Sequence, residues 1–173
     1  MGALEAALRA RRDLGGRSFV PYLTGGFPGV DPALLRAVAN TGADAIEVGV
    51  PHSDPVMDGP VIQESSERAL AAGATPRSIV AELAERETAV PVAVMTYYNL
   101  VFRWGHQRCA DELARAGVAA AILPDLPLDE VGHWARAARL PVPGVRSSRA
   151  AASSRMVLVP IHRRPVPRAP GIR

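Results

Sequence analysis

The chain has 173 residues, of which 48% are hydrophobic and 21% charged, a composition that suits one globular domain and excludes a disordered or fibrous protein. Its net charge of +3 is unevenly divided: residues 1–140 contain 13 Arg and all 17 acidic residues, whereas residues 141–173 contain 7 Arg and no acid. A basic tail can bind nucleic acid or an acidic surface, but this one has no aromatic residue to stack on bases, so we predict no nucleic-acid partner. A single cysteine, Cys109, excludes an internal disulfide, and the lack of an apolar run of about 20 residues or of a signal-peptide pattern predicts a cytoplasmic protein.

Strand-like apolar runs alternate with helix-like periodic segments along the first part of the chain. In chain order, the patterns predict a strand at 19–24, a helix at 32–39, a strand at 45–50, helices at 61–72 and 76–86, a strand at 90–96, a helix at 106–116, a strand at 119–123 and a helix at 129–139. Asp31 and Thr75 are suited to helix starts, and Gly42 and Gly73 to helix ends. Apolar strands that alternate with helices are typical of a parallel sheet covered by helices, so the sequence predicts an α/β layer or part of a closed barrel.

This pattern fails after Leu140. Residues 141–173 contain 6 prolines, which exclude a regular helix or a central strand over most of that length. Residues 156–161 form one short apolar run that can add an edge strand. We therefore predict two parts, a partial barrel domain at 1–140 and an irregular tail rich in Pro and Arg at 141–173. The abrupt loss of acidic residues suggests the hypothesis of a shifted reading frame or a truncated gene, which resequencing through that codon would test.

Two carboxylates stand out in the segment 42–63. Glu47 lies inside the apolar strand predicted at 45–50, so it points either to solvent or into a buried space, where its ionised form is costly and its pKa is raised. Asp58 follows in a loop interrupted by Pro and Gly, where a carboxylate stays ionised. The alternatives are that Glu47 pairs with a buried Arg and that Asp58, which precedes Gly59, is a turn residue. Barrel enzymes carry catalytic groups at such strand ends and loops, which favours a role for both carboxylates.

Four segments carry recognisable motifs. They are 19–28 (FVPYLTGGFP), 42–63 (GADAIEVGVPHSDPVMDGPVIQ), 95–102 (MTYYNLVF) and 124–127 (PDLP). Together they resemble the tryptophan synthase alpha subunit, and the second segment is a signature of that family. The resemblance implies a TIM-type (β/α)8 barrel, which usually has about 250 residues, so the chain corresponds to roughly the first four βα units followed by the irregular tail.

The resemblance implies a carbon–carbon lyase of tryptophan biosynthesis, which cleaves indole-3-glycerol phosphate to indole and glyceraldehyde 3-phosphate. In the role that it implies, Glu47 protonates indole C3 and helps to deprotonate the glycerol hydroxyl. Asp58 holds the indole N–H while positive charge grows on the ring. The step needs no cofactor on this chain. Pyridoxal phosphate is expected on the beta subunit, with which the family forms an α2β2 complex.

The resemblance also implies substrate and partner contacts. The residues expected to line the indole pocket are Tyr22, Tyr98 and Leu100. The residues expected to face the beta subunit are Pro51, Asp54 and Asn99. Packing in a strand or a turn is the alternative for each of them. The 4 histidines show no ligand spacing with one another or with the cysteine, so no metal site is predicted.

Two other functions remain open on sequence grounds. One is an inactive, truncated remnant that at most binds the beta subunit, because the phosphate-binding loops of such barrels follow strands seven and eight and nothing in 141–173 replaces them. The other is a different phosphate-sugar barrel that uses a Schiff base, which is disfavoured because the chain has no Lys. A half barrel is also expected to leave the outer edges of its first and fourth strands unpaired.

Overall fold

Five strands form one sheet in the part of the chain that the computed structural model describes, residues 2–138 and 157–161. They are β1 (Tyr22–Thr24), β2 (Ile46–Gly49), β3 (Val92–Met95), β4 (Ala120–Leu123) and β5 (Val157–Pro160), in that order across the sheet. The strands from β1 to β4 pair in parallel, and β5 runs antiparallel to β4. The predicted parallel sheet of the first four βα units is confirmed.

The last strand corrects one expectation. The outer edge of β4 is not open, because β5 pairs with it from Leu123 back to Ala120. The N–H of Ile161 extends this pairing by donating to the carbonyl of Ala119 at 3.0 Å. The strand falls within the run 156–161 that the sequence singled out as an edge strand. Most of the remaining tail lies outside the described residues, so the division of the chain at residue 140 stays a prediction.

Helices connect and cover the parallel strands. Within the described ranges they are α1 (Ala3–Asp13), α2 (Pro32–Ala39), α3 (Pro60–Ala71), α4 (Pro76–Ala84), α5 (Tyr98–Trp104), α6 (His106–Arg115) and α7 (Val131–Ala137), with a 3-10 turn at Leu128–Glu130 before α7. The sequence did not predict α1 or α5, and neither has a side-chain cap at its start. No helix in this part of the chain has the length and apolar character needed to cross a bilayer.

The predicted helix starts are confirmed by their capping bonds. The Asp31 carboxylate accepts the N–H of Leu34 at 2.7 Å. Thr75 and Ser78 form a reciprocal capping box, in which each side chain accepts the backbone N–H of the other residue. These bonds satisfy backbone donors that a helix end leaves without an internal partner. At the other end of α3, Gly73 adopts a φ of +89°, which residues with a side chain rarely tolerate.

The sheet has two different faces, because alternate residues of each strand point to opposite sides. The outer face packs under the helices through large buried side chains, which include Ile46, Val48, Ile79, Val92, Val94, Leu113 and Trp134. We call the opposite side the inner face. It carries Ala45, Ala93 and Ala120, and Leu4 of α1 packs against them. Glu47 alternates with the outer residues of β2 and therefore belongs to the inner face, which corresponds to the interior of a closed barrel.

Candidate active site

Glu47 is a half-buried carboxylate on the inner face of β2. Burial raises the pKa of its carboxyl, and the negative charge of Asp58 raises it further. Asp58 lies in the loop between β2 and α3. Among residues 2–138, no arginine forms an ion pair with Glu47, so the structural alternative of a buried ion pair is not observed there. The carboxyl can therefore hold a proton closer to neutral pH than an exposed glutamate does.

Tyr22 lies beside Glu47 on the inner face. The two residues are direct neighbours in the register of β1 and β2, and burial is the main cause that raises the pKa of the Tyr22 phenol. The phenol extends across β2 at Gly49, where an added Cβ would collide with its hydroxyl. Because Gly49 has no side chain, the Tyr22 phenol can extend over β2 from its position beside Glu47. The sequence predicted the place of Tyr22 near the site but not the part played by this glycine.

Asp58 is held in place by a buried tyrosine that the sequence did not single out. The Tyr97 hydroxyl donates to Oδ2 of Asp58 at 2.9 Å and accepts the N–H of Met57 at 2.9 Å. Burial, as the largest cause, raises the pKa of Tyr97 to about 12, so this phenol remains a hydrogen-bond donor. Gln63 donates to the Asp58 carbonyl at 2.8 Å. Within the described residues, the side-chain hydrogen bond of Asp58 is made through Oδ2.

Tyr98 and Leu100 lie on the other side of the sheet from Glu47. The Tyr98 hydroxyl donates to Oε2 of Glu130 at 2.8 Å and lies 2.8 Å from Nε2 of His106. Both Tyr98 and Leu100 pack with the outer cluster under the helices. The structure therefore does not bring these two predicted pocket residues together with the carboxylates, and their contact with substrate stays a prediction. Adjacent tyrosines at a strand end look alike in sequence, and only the start of α5 decides that Tyr97 is the one that turns toward Asp58.

The three residues predicted to face a partner lie close together but differ in exposure. Asp54 and Asn99 are exposed, whereas Pro51 is buried. His52 connects the first two, because its Nδ1 accepts the N–H of Asp54 at 3.0 Å and its Nε2 lies 3.0 Å from Nδ2 of Asn99. The structure therefore brings Asp54 and Asn99 together at the surface through His52, and their contact with a partner stays a prediction.

The titratable side chains of residues 2–138 do not form a metal site. No group of three or more His, Cys, Asp or Glu side chains is arranged there to hold an ion. Cys109 is 2% exposed, and burial, helped by the charge of Glu112, raises the pKa of its thiol to about 12. This cysteine is a packing residue of α6 in the core under the helices.

Four parallel strands under a layer of helices, with an acid on the inner face of the second strand and another in the loop that follows, define part of a (β/α)8 barrel. Solved structures show the same arrangement. A crystal structure of tryptophan synthase from Mycobacterium tuberculosis matches with a TM-score of 0.74 and 37% identity, covering 80% of this chain and 57% of that chain. The tryptophan synthase subunit alpha of Legionella pneumophila matches with a TM-score of 0.73 and 31% identity, covering 79% and 54%.

Sequence comparison leads to the same family. The family model for the tryptophan synthase alpha chain matches residues 8–141. The tryptophan synthase alpha chain of Streptomyces avermitilis is 45% identical over 135 residues, which are 76% of this chain and 49% of the relative. That of Desulfovibrio desulfuricans is 44% identical over 142 residues, or 79% and 55%. The chain belongs to the tryptophan synthase alpha chain family. It spans about half the length of these two curated relatives.

Proposed function

We propose that the chain cleaves indole-3-glycerol phosphate to indole and glyceraldehyde 3-phosphate, with Glu47 and Asp58 as the acting groups. The main support is the contrast between the two carboxyls. Burial raises the pKa of Glu47 on the inner face, which suits a group that gives and takes a proton. Tyr97 and Gln63 fix the loop around Asp58, which suits an anion that has to stay in one place.

The proposed chemistry uses each carboxyl for a different task. Protonated Glu47 gives its proton to indole C3, and the ring becomes positively charged. Asp58 accepts a hydrogen bond from the indole N–H and stabilises that charge. The bond between C3 and the glycerol carbon then breaks as Glu47 takes the proton of the adjacent hydroxyl, which becomes the aldehyde. The bonding electrons return to the ring, and Glu47 ends in the protonation state in which it began.

The proposed partner is a tryptophan synthase beta subunit, which would carry pyridoxal phosphate, with no cofactor on this chain and a cytoplasmic location for the complex. Asp54 and Asn99 are the proposed contacts. Their support is that both are exposed and that His52 holds them at one place. Pro51, being buried, would act by setting the path of the loop.

The decisive experiment mixes the full chain with a purified tryptophan synthase beta subunit and indole-3-glycerol phosphate, and measures indole. We expect indole to form at a rate that rises with the concentration of the chain. Phosphate sites of such barrels lie beyond strand six, outside the four parallel strands described here. The assay therefore also shows whether this part of the barrel suffices. Binding of the beta subunit without any indole would overturn the proposed activity and assign the chain a binding role alone.

Tyr97→Phe is expected to lower the rate of indole formation by about 10- to 100-fold, because the loop that positions Asp58 loses a donor and an acceptor. Thr88→Val is the matched control. It also removes a hydroxyl that makes two hydrogen bonds, here to the backbone of Val90 just before β3. We expect the control to lower thermal stability and to leave the rate unchanged. A rate that falls for Thr88→Val and not for Tyr97→Phe would contradict the assignment of Tyr97.

A further inference from the structure

His52 makes a hydrogen bond through each of its two ring nitrogens. Its Nδ1 accepts the backbone N–H of Asp54 in its own loop at 3.0 Å. Its Nε2 lies 3.0 Å from the side-chain amide of Asn99 in α5. The ring thus connects the loop after β2 to the helix after β3.

The protonation state of this imidazole follows from its partners. A backbone N–H can only donate, so Nδ1 must be the unprotonated nitrogen. A neutral ring then carries its proton on Nε2 and donates from it. The side-chain amide of Asn99 therefore directs its oxygen, and not its NH2 group, to Nε2. This orientation is reached by rotating the amide group by half a turn. His52 therefore fits both partners only as the neutral tautomer protonated at Nε2.

The same ring lies against the phenol that holds Asp58. The ring centroids of His52 and Tyr97 are 4.7 Å apart, with an angle of 35° between the planes. The Tyr97 hydroxyl in turn holds Met57 N–H and the Asp58 carboxylate. The loop from His52 to Asp58 is thus attached to the start of α5 at two levels, by the imidazole and by the phenol.

We propose that His52 is a positioning residue: as a neutral imidazole it holds the loop of Asp54 and Asp58 against α5, and its protonation releases that loop. In the imidazolium, Nδ1 carries a hydrogen that faces the Asp54 N–H, so two donors oppose each other and this bond is lost. This inference rests on the proposed function only for the action of Asp58 on substrate. The effect of His52 on the loop does not depend on any activity.

Three carboxylates accompany the His52–Tyr97 pair. Asp54 belongs to the same loop as His52, and Asp58 accepts a hydrogen bond from the Tyr97 hydroxyl, whose ring lies against the imidazole. Asp125, in the loop after β4, also acts on that phenol electrostatically. Because imidazoles as a class change charge between about pH 5 and pH 8, we expect the loop to be held at the upper end of this range and released at the lower end.

Nuclear magnetic resonance on the full, isotope-labelled chain tests this proposal. At about pH 8 the His52 ring should show the tautomer protonated at Nε2. As the pH falls, the Asp54 amide signal should shift with the same midpoint as the His52 ring. Hydrogen exchange at the amides of Asp54 and Met57, corrected for its intrinsic pH dependence, should become about tenfold faster. A ring protonated at Nδ1 at the upper pH, or amide protection that does not change across the titration, would overturn the proposal.

Two variants distinguish the effect of the Nδ1 acceptor of His52 from the effect of its aromatic ring. His52→Asn retains an acceptor near the position of Nδ1 but cannot be protonated, so the amide of Asp54 should stay protected across the pH range. His52→Phe retains the stacked ring but has no acceptor, so protection should be lost at every pH. His133→Asn is the matched control, because this exposed imidazole contacts Arg136 on α7. It should leave the titration of Asp54 unchanged, and a Phe variant with the protection of the natural chain would refute the role of Nδ1.

The test is independent of the proposed activity. If the chain forms no indole and the Asp54 amide still follows His52, the proposed function fails and the positioning role of His52 stands. If indole forms and the Asp54 amide does not follow the His52 ring, the proposed function stands and the positioning role of His52 fails. The titration of the natural chain decides the question even where a variant does not fold.

Discussion

Glu47→Gln is expected to lower the rate of indole formation by about 100- to 10,000-fold, because an amide of nearly the same shape cannot give and take a proton. The measurement is indole release from indole-3-glycerol phosphate in the presence of the beta subunit. Glu82→Gln is the matched control. The pKa of Glu82 is also raised, mainly by burial, but this residue lies on α4, away from the inner face. Equal losses in both variants would refute a specific role for Glu47.

The same substitution should change stability in the opposite sense to activity. Since burial raises the pKa of Glu47 above its ordinary value of 4.5, the folded chain binds a proton that the unfolded chain releases. The free energy of unfolding therefore falls as the pH rises from that ordinary value through the raised pKa. Glu47→Gln lacks this fall and should be the more stable protein above the raised pKa. Urea unfolding at several pH values measures the difference, and an identical pH dependence in the two proteins would contradict it.

The second large effect, on the free energy of unfolding, is expected from substitutions of Trp134 in the hydrophobic core. Trp134 is 0% exposed, and residues 2–138 and 157–161 provide no hydrogen-bond partner for its buried indole Nε1. Trp134→Ala should lower the free energy of unfolding by about 3–5 kcal/mol, because it leaves a cavity. Trp134→Phe should change it by about 1 kcal/mol or less, because the loss of packing is offset when the unsatisfied N–H is removed.

Urea unfolding of these variants is best compared with that of Trp104→Phe. The Trp104 indole N–H does have a partner, the carboxylate of Glu112 at 3.4 Å. Its removal therefore costs a hydrogen bond, and Trp104→Phe should be more destabilising than Trp134→Phe. The reverse order would show that the N–H of Trp134 contributes to stability in a way that its surroundings do not indicate.

The sequence predicted the elements whose signals are local. The caps Asp31 and Thr75 and the stop at Gly73 mark their helices, and each signal lies within a few residues of the boundary that it sets. The apolar run around Glu47 likewise predicted both the strand and the raised pKa. The helices α1 and α5 were not predicted. Neither begins with a capping side chain, but α3 and α6 also lack one and were predicted from their apolar periodicity. With 7 residues, α5 is too short to show a clear helical period.

The details of the candidate site were less predictable, because they depend on the register in which neighbouring strands pair. The pairing of Tyr22 with Glu47 and the space at Gly49 arise between two strands. The choice between Tyr97 and Tyr98 arises at the start of α5, where Tyr97 is the extended N-cap and Tyr98 is the first helical residue. His52 stayed unnoticed for the same reason, since its two partners are separated by the whole of α3, α4 and β3. Residue types indicated which chemistry to expect, and the tertiary structure decided which side chains can take part.

The antiparallel strand β5 has a consequence for how copies of this protein can meet. It occupies the edge of β4, while within residues 2–138 and 157–161 the strand β1 pairs with β2 alone. The described sheet still ends in two strands, β1 and β5, and Pro160 leaves β5 one backbone donor short. Backbone pairing between copies is therefore expected to favour β1 over β5.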